Sequence, residues 1–166
     1  PGGPTTFCSP GSVTLTANAG SAYNWNTGAT TQSITVTNTG SFSVSVTAAN
    51  GCSSVASGFI VTANTPPTAI ASNTGPYCVG YNIQLNANGT NVQSYAWNGV
   101  NGFSSSTQNP AIANSSAVNF GVYNVTATSS AGCTATATTT VTSSGNAPVL
   151  SYSGNPNFTS HIVDPL

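Results

Sequence analysis

Four cysteines, Cys8, Cys52, Cys78 and Cys133, are the residues of this chain best suited to covalent chemistry. Their even number, with no Cys-x-x-Cys pair and no His/Cys cluster, points to disulfides rather than to a zinc or redox centre. Disulfides in turn imply an oxidising, extracytoplasmic compartment. His161 and Asp164 are the only ordinary titratable pair, because the 166 residues hold one acidic residue, one histidine and no Lys or Arg. Neither a catalytic triad nor a metal set can be completed around them. No catalytic residue, metal or cofactor is therefore expected, and the chain does not read as an enzyme.

The same scarcity excludes further classes. Nucleic-acid binding draws most of its nonspecific affinity from Lys and Arg, and there are none. Calcium at repeat junctions needs several carboxylate oxygens. Lys-to-Asn isopeptide cross-links need a lysine. Asn88, Asn114, Asn124 and Asn157 begin Asn-x-Ser/Thr sequons and, with the many hydroxyls, leave glycosylation open. Thr134, Thr136, Thr138, Thr140 and Thr142 alternate, so one face of a strand there carries a row of methyl and hydroxyl groups. Such a row suits an ice-binding face, but it equally suits an exposed strand in a chain that avoids charge.

The elements that carry these residues are built from an unusual composition. Thr, Ser, Asn and Gly make up 87 of the 166 residues, and charged residues are 1% where about 25% is ordinary. A net charge of −1 favours self-association. Hydrophobic residues at 38% and aromatics at 8% still suffice for small cores, which at this size often need covalent help. No apolar run approaches the roughly 18 to 20 residues that span a bilayer, so no membrane insertion is expected. With neither Met nor a signal peptide before Pro1, the chain reads as part of a longer secreted precursor.

An internal repeat organises the chain. At an offset of 70, Phe7-Cys8 falls on Tyr77-Cys78, and Val13, Leu15 and Ala17 fall on Ile83, Leu85 and Ala87. Tyr23-x-Trp25 matches Tyr95-x-Trp97; at an offset of 81, Gly40-x-Phe42-x-Val44 matches Gly121-x-Tyr123-x-Val125 and Gly51-Cys52 matches Gly132-Cys133. Thr65-Pro66-Pro67 separates the units, since consecutive prolines cannot continue a central strand. The tail continues the register, with Pro148 on Pro67, Ser153 on Ser72 and Phe158 on Tyr77, while Thr159 replaces the cysteine. This divides the chain into a first repeat, 1–64, lacking its first strand; a second, 65–145; and a segment, 146–166, that begins a third. Pro148, Val149, Leu150, Ser151, Tyr152 and Ser153 then form either the first strand of that third repeat or a donor strand for the next copy. Of the three pairings open to four cysteines, the repeat favours Cys8 with Cys52 and Cys78 with Cys133, each within one unit and worth roughly 4 kcal/mol.

Alternation puts Ile34, Val36, Phe42, Val44 and Val46 on buried faces of 33–37 and 41–47, and Tyr123, Val125 and Ala127 on the equivalent face of the second unit. No segment combines helical periodicity with strong helix formers. Short strands broken by Gly, Asn and Pro predict an all-β chain of small antiparallel sandwiches.

The succession Cys, alternating strand, Tyr-x-Trp-Asn, Gly-x-Thr-Thr-Gln-Ser-Ile-x-Val, Thr-Gly-Ser-Phe-x-Val-x-Val, Asn-Gly-Cys over residues 7 to 62 resembles the immunoglobulin-like repeats of very large secreted surface proteins and adhesins of the Bacteroidetes. Residues 77 to 142 resemble a longer variant. The resemblance implies tandem immunoglobulin-like antiparallel β-sandwiches, secretion, cell-surface display, adhesion and filament or stalk formation. In such a sandwich Trp25 and Trp97 take the buried third-strand position, Tyr123 forms a tyrosine corner and Phe42 keeps only its packing. The expected partners are copies of the chain or adjacent repeats, with a glycan or surface ligand as a further partner. The rival reading, a carbohydrate-binding module of a secreted enzyme, requires exposed Trp or Tyr rings.

Overall fold

Alternating apolar and hydroxyl residues give each segment one face that leaves water and one that stays in it. In the computed structural model, which describes residues 5–145, this patterning yields strands joined by loops and two short 3-10 turns. The first unit holds β1 (Thr6–Cys8), β2 (Val13–Thr16), β3 (Ala22–Trp25), β4 (Ser33–Val36), β5 (Gly40–Thr47) and β6 (Ser53–Asn64). The second holds β7 (Ile70–Asn73), β8 (Tyr77–Cys78), β9 (Ile83–Asn88), β10 (Ser94–Gly99), β11 (Ser104–Ser105), β12 (Ala111–Ile112), β13 (Gly121–Thr128), β14 (Thr134–Val141) and β15 (Ser143–Gly145). Pro148 to Ser153, His161, Asp164 and the Asn157 sequon lie outside the described residues.

Strand pairing stays within each unit. In the first, β1-β6-β5-β3 face the pair β2-β4; in the second, β11-β10-β13-β14 face β12-β9-β7, and β8 pairs with β15. The pairs are antiparallel except β1 with β6 and β8 with β15, which run parallel. A short first strand parallel to the last one, opposite a sheet of early and middle strands, is the arrangement of an immunoglobulin-like sandwich. The chain is all-β and consists of two such sandwiches in tandem.

Each sandwich closes around its own core. Leu15, Ala17, Trp25, Val36, Val44 and Val61 fill the first; Tyr77, Ile83, Leu85, Ala87, Trp97, Tyr123, Val125 and Val141 fill the second. Ile34, Phe42 and Val46 are half-buried against the first core, whereas Tyr123 is fully buried in the second core and Ala127 is fully buried on the same strand. Phe42 sits beside a register shift in the β5–β6 pairing, which skips from Phe42↔Phe59 to Val44↔Ala56. The second unit has no such shift between β13 and β14.

Polar groups inside the sandwiches are held by the repeat itself. The indole of Trp25 donates to the Thr31 carbonyl at 2.8 Å and that of Trp97 to the Gln108 carbonyl at 3.1 Å. The amides of Gln32 and Gln108 donate to the Ala17 and Ala87 carbonyls, at 3.2 and 2.8 Å, tying the connection after the tryptophan back to β2 and β9. Tyr123 donates its hydroxyl to the Asn119 carbonyl at 2.7 Å, closing a tyrosine corner, and its ring meets Phe103 edge-on with centroids 5.3 Å apart. Among the described residues every buried side-chain polar atom has a hydrogen-bond partner.

Candidate functional site

With little charge available, the features able to act on another molecule are an open edge, a groove and the sulfur atoms. The edge follows from comparing the units. In the second, β7 pairs with β9 through Ile70↔Asn88, Ala71↔Ala87, Ser72↔Asn86 and Asn73↔Leu85. Asn73 reaches across to the last strand, donating to Thr139 Oγ1 at 2.7 Å and to the Thr140 carbonyl at 3.0 Å. Ala71 packs on the core. β7 thus closes the side of the sandwich between its two sheets.

The first unit has no counterpart of β7 among the described residues. The equivalent edge is the free side of β2, and where β7 would lie there is a groove of about 420 Å³. Thr16, Ala17, Val44, Val46, Ala56 and Phe59 line it. Ala17 is the counterpart of Ala87, against which β7 is registered. Val46 is half-exposed where its counterpart Ala127 is sealed. An unpaired strand edge beside an apolar groove is costly in water and presents unused N–H and C=O groups to an incoming strand.

The cysteines are placed by the same topology. Cys8 bonds to Cys133, with Cα atoms 5.7 Å apart, so the bridge joins the first unit to the second; Cys52 and Cys78 are unpaired. This corrects the expected pairing of Cys8 with Cys52 and Cys78 with Cys133. The reason is strand direction: β1 runs parallel to β6, and Cys8 is registered with Asn64 at its far end. Cys52 immediately precedes Ser53, at the other end of the same strand. Eleven residue steps at about 3.3 Å put roughly 36 Å between the two ends, whereas a disulfide needs Cα atoms within about 7 Å. Cys78, registered with Gly145, is separated from Cys133 in the same way.

What does meet Cys8 is the turn between β13 and β14. Gly132 (φ +79°) lets that turn close, with the Ser129 N–H donating to the Cys133 carbonyl at 2.8 Å and the Gly132 N–H to the Ser129 carbonyl at 3.0 Å. The turn faces the end of β6, so that Cys133 Sγ lies 4.0 Å from the Asn64 carbonyl. Asn91 adds a second tie, donating its amide to the Thr65 carbonyl at 2.7 Å. The repeat did reveal that the two cysteine positions are structurally distinct; a one-unit comparison could not reveal that they meet across a junction.

The remaining candidates are placed plainly. Trp25 and Trp97 are each 2% exposed, with their N–H groups bonded inward, and so offer no flat platform to a sugar. Thr134, Thr136, Thr138 and Thr140 are exposed along β14, but the adjoining row on β13 changes from Thr128 and Thr126 to Asn124 and Val122, which breaks the Thr lattice. Among the described residues no group of three metal-ligating side chains occurs, and no helix is long and apolar enough to cross a membrane.

Strand order, tyrosine corner and buried tryptophans define tandem immunoglobulin-like sandwiches, the first with an open edge among the described residues, joined by a bridged junction. Solved structures similar to it include an amphioxus IgVJ-C2 molecule, at 16% identity and TM-score 0.41, covering 82% of this chain and 99% of that one. The three N-terminal domains of the highly immunogenic outer capsid protein Hoc of bacteriophage RB49 match at 22% identity and TM-score 0.39, over 83% of this chain and 56% of that one. The N-terminal four Ig domains of Dscam1 isoform 9.44 match at 12% identity and TM-score 0.38, over 82% of this chain and 42% of that one. No protein-family model and no curated protein sequence matches the chain.

Proposed function

We propose that this chain is a structural subunit of an extracellular filament or cell-surface stalk, assembled head to tail, in which residues 148–153 of one copy fill the open groove of the next. The observation that carries this reading is the pairing of an unfilled β7 position in the first unit with a β7-like sequence at the tail. In the shared register, Pro148, Leu150 and Tyr152 correspond to Pro67, Ala69 and Ala71, the residues of the second unit that turn toward its interior. Leu150 and Tyr152 are larger than the alanines they replace, as suits a groove of about 420 Å³. Head-to-tail filling is heterologous and yields an open fibre unless its rotation closes a ring. A disulfide-bonded immunoglobulin-like pair fits an extracellular setting, and the resemblance to Bacteroidetes surface repeats supports display on a cell surface. No catalytic role is assigned.

Electron microscopy of native material, with subunit mass read under denaturing, reducing conditions, tests the proposal. Fibres resolving to a subunit of 16.4 kDa are expected. Fibres from a far larger polypeptide would make these residues one stretch of a continuous repeat, and monomers without fibres would refute assembly. Deleting residues 146–166 should abolish fibres, and an added peptide of residues 146–158 should cap growing ends. Fibres that survive both would eliminate strand exchange.

A further inference from the structure

The unpaired cysteines are structural copies of the paired ones. Cys78 occupies in the second unit the place of Cys8 in the first: each ends a short strand that runs parallel to the last strand of its sandwich, registered with Asn64 for Cys8 and with Gly145 for Cys78. Each follows an aromatic residue, Phe7 or Tyr77. Cys52 occupies the place of Cys133. Its turn carries the same pair of hydrogen bonds, the Ala48 N–H donating to the Cys52 carbonyl at 2.8 Å and the Gly51 N–H to the Ala48 carbonyl at 2.9 Å, and Gly51 has the same positive φ, +82°. The two turns differ in the side chain that accepts from the cysteine N–H, Asn50 Oδ1 for Cys52 and Ser129 Oγ for Cys133, and in burial: Cys133 is 1% exposed against the end of the first unit, while Cys52 faces solvent.

Every unit therefore carries one cysteine at its leading turn and one beside the end of its last strand, and the bond already formed joins the second kind to the first kind across a junction. Among the described residues, Cys52 is the leading-turn cysteine that meets no trailing cysteine, and Cys78 the trailing cysteine that meets no leading turn. Each lies about 36 Å of strand away from the junction that the Cys8–Cys133 bond occupies. Cys52 is exposed, and Cys78 is half-buried with its Sγ 3.2 Å from Ser144 Oγ.

We propose that Cys78 of one copy forms a disulfide with Cys52 of the next, repeating the Cys8–Cys133 bond at each junction between copies and making the polymer covalent. This inference rests on the head-to-tail reading above. In the step, two thiols lose two protons and two electrons and gain one S–S bond, while a disulfide oxidant such as oxidised glutathione is reduced to two thiols. A second copy is the partner because it presents, at its first unit, the same Asn-Gly-Cys hairpin end whose equivalent in the second unit, Ala-Gly-Cys, already meets Cys8.

The test uses the full chain in a glutathione redox buffer, followed by non-reducing denaturing electrophoresis and mass-spectrometric mapping of chymotryptic peptides. Expected is a ladder at multiples of 16.4 kDa that collapses on reduction, with the Cys52 peptide linked to the Cys78 peptide. Cys52→Ser and Cys78→Ser should each leave monomers, and their equal mixture should give dimers and nothing longer. Dimers from either variant alone, or a Cys52–Cys78 link confined to monomers, would overturn the proposal. Fibres in which both thiols still react with a maleimide would overturn the bond and leave head-to-tail assembly standing; monomers with both thiols free would overturn the two together.

Discussion

Tyr123 shows how one hydroxyl couples packing to pH. Its ring is fully buried, and burial, which penalises the phenolate, raises its pKa above the ordinary 10.0. As pH rises past that value the unfolded chain ionises while the folded chain keeps its proton, so the unfolded state binds fewer protons and stability falls. Stability should therefore be unaffected by this group below about pH 9 and decline on the alkaline side. Urea unfolding of Tyr123→Phe should show a loss of about 1 kcal/mol at pH 7, from the bond to the Asn119 carbonyl, together with a shallower alkaline decline. An unchanged decline would exclude Tyr123 as its source. At the same scale, Gly132→Ala should cost about 1 to 2 kcal/mol, because an L residue at φ +79° crowds its own carbonyl. The variant should also leave more Cys8 open to thiol reagents, since the turn that presents Cys133 depends on that glycine.

Strands decide where chemistry can occur. β2 and β9 are equivalent in sequence, but β9 has β7 on its flank and β2 has a free edge among the described residues. A charged residue placed at the proposed occupant, as in Tyr152→Asp, should stop fibre growth, because an unpaired carboxylate would have to enter a groove lined by Val44, Val46 and Phe59. Circular dichroism and tryptophan fluorescence of the monomer should not change, since each tryptophan is 2% exposed and its N–H is bonded to a carbonyl of its own sandwich. Fibres formed as readily as by the parent chain would count against strand filling.

Across the whole molecule, covalent and electrostatic terms have unequal weight. The Cys8–Cys133 bridge spans 125 residues, and by chain entropy it stabilises the tandem by about 5 kcal/mol at most. Cys8→Ser paired with Cys133→Ser should therefore leave two folded sandwiches, each with its own core, that unfold in separate rather than coincident transitions by calorimetry. A single unchanged transition would show that the junction is held by other contacts. With one acidic residue and one histidine in the chain, little titrates between acid and neutral buffers. Fibre mass measured by sedimentation should be nearly constant from pH 4 to 8, and dissociation on mild acidification would contradict an assembly held by backbone pairing and apolar contact.

Local pattern was enough to determine the secondary structure and the repeat. Alternation at Ile83, Leu85 and Ala87 and at Tyr123, Val125 and Ala127 can be buried only by pairing strands face to face, and the matched Trp25 and Trp97 needed a partner inside. The roles of Gln32 and Gln108 were not legible, because an amide that ties one loop to one carbonyl has no periodic signature. Nor was the disulfide pairing. Whether two cysteines can bond depends on which strand ends meet, and a strand parallel to its partner sends Cys8 to the end opposite Cys52. The expectation that the first repeat lacks its first strand came from the offset between the units, but sequence separation contains no strand direction, so the bond across the junction was decided by the tertiary structure alone.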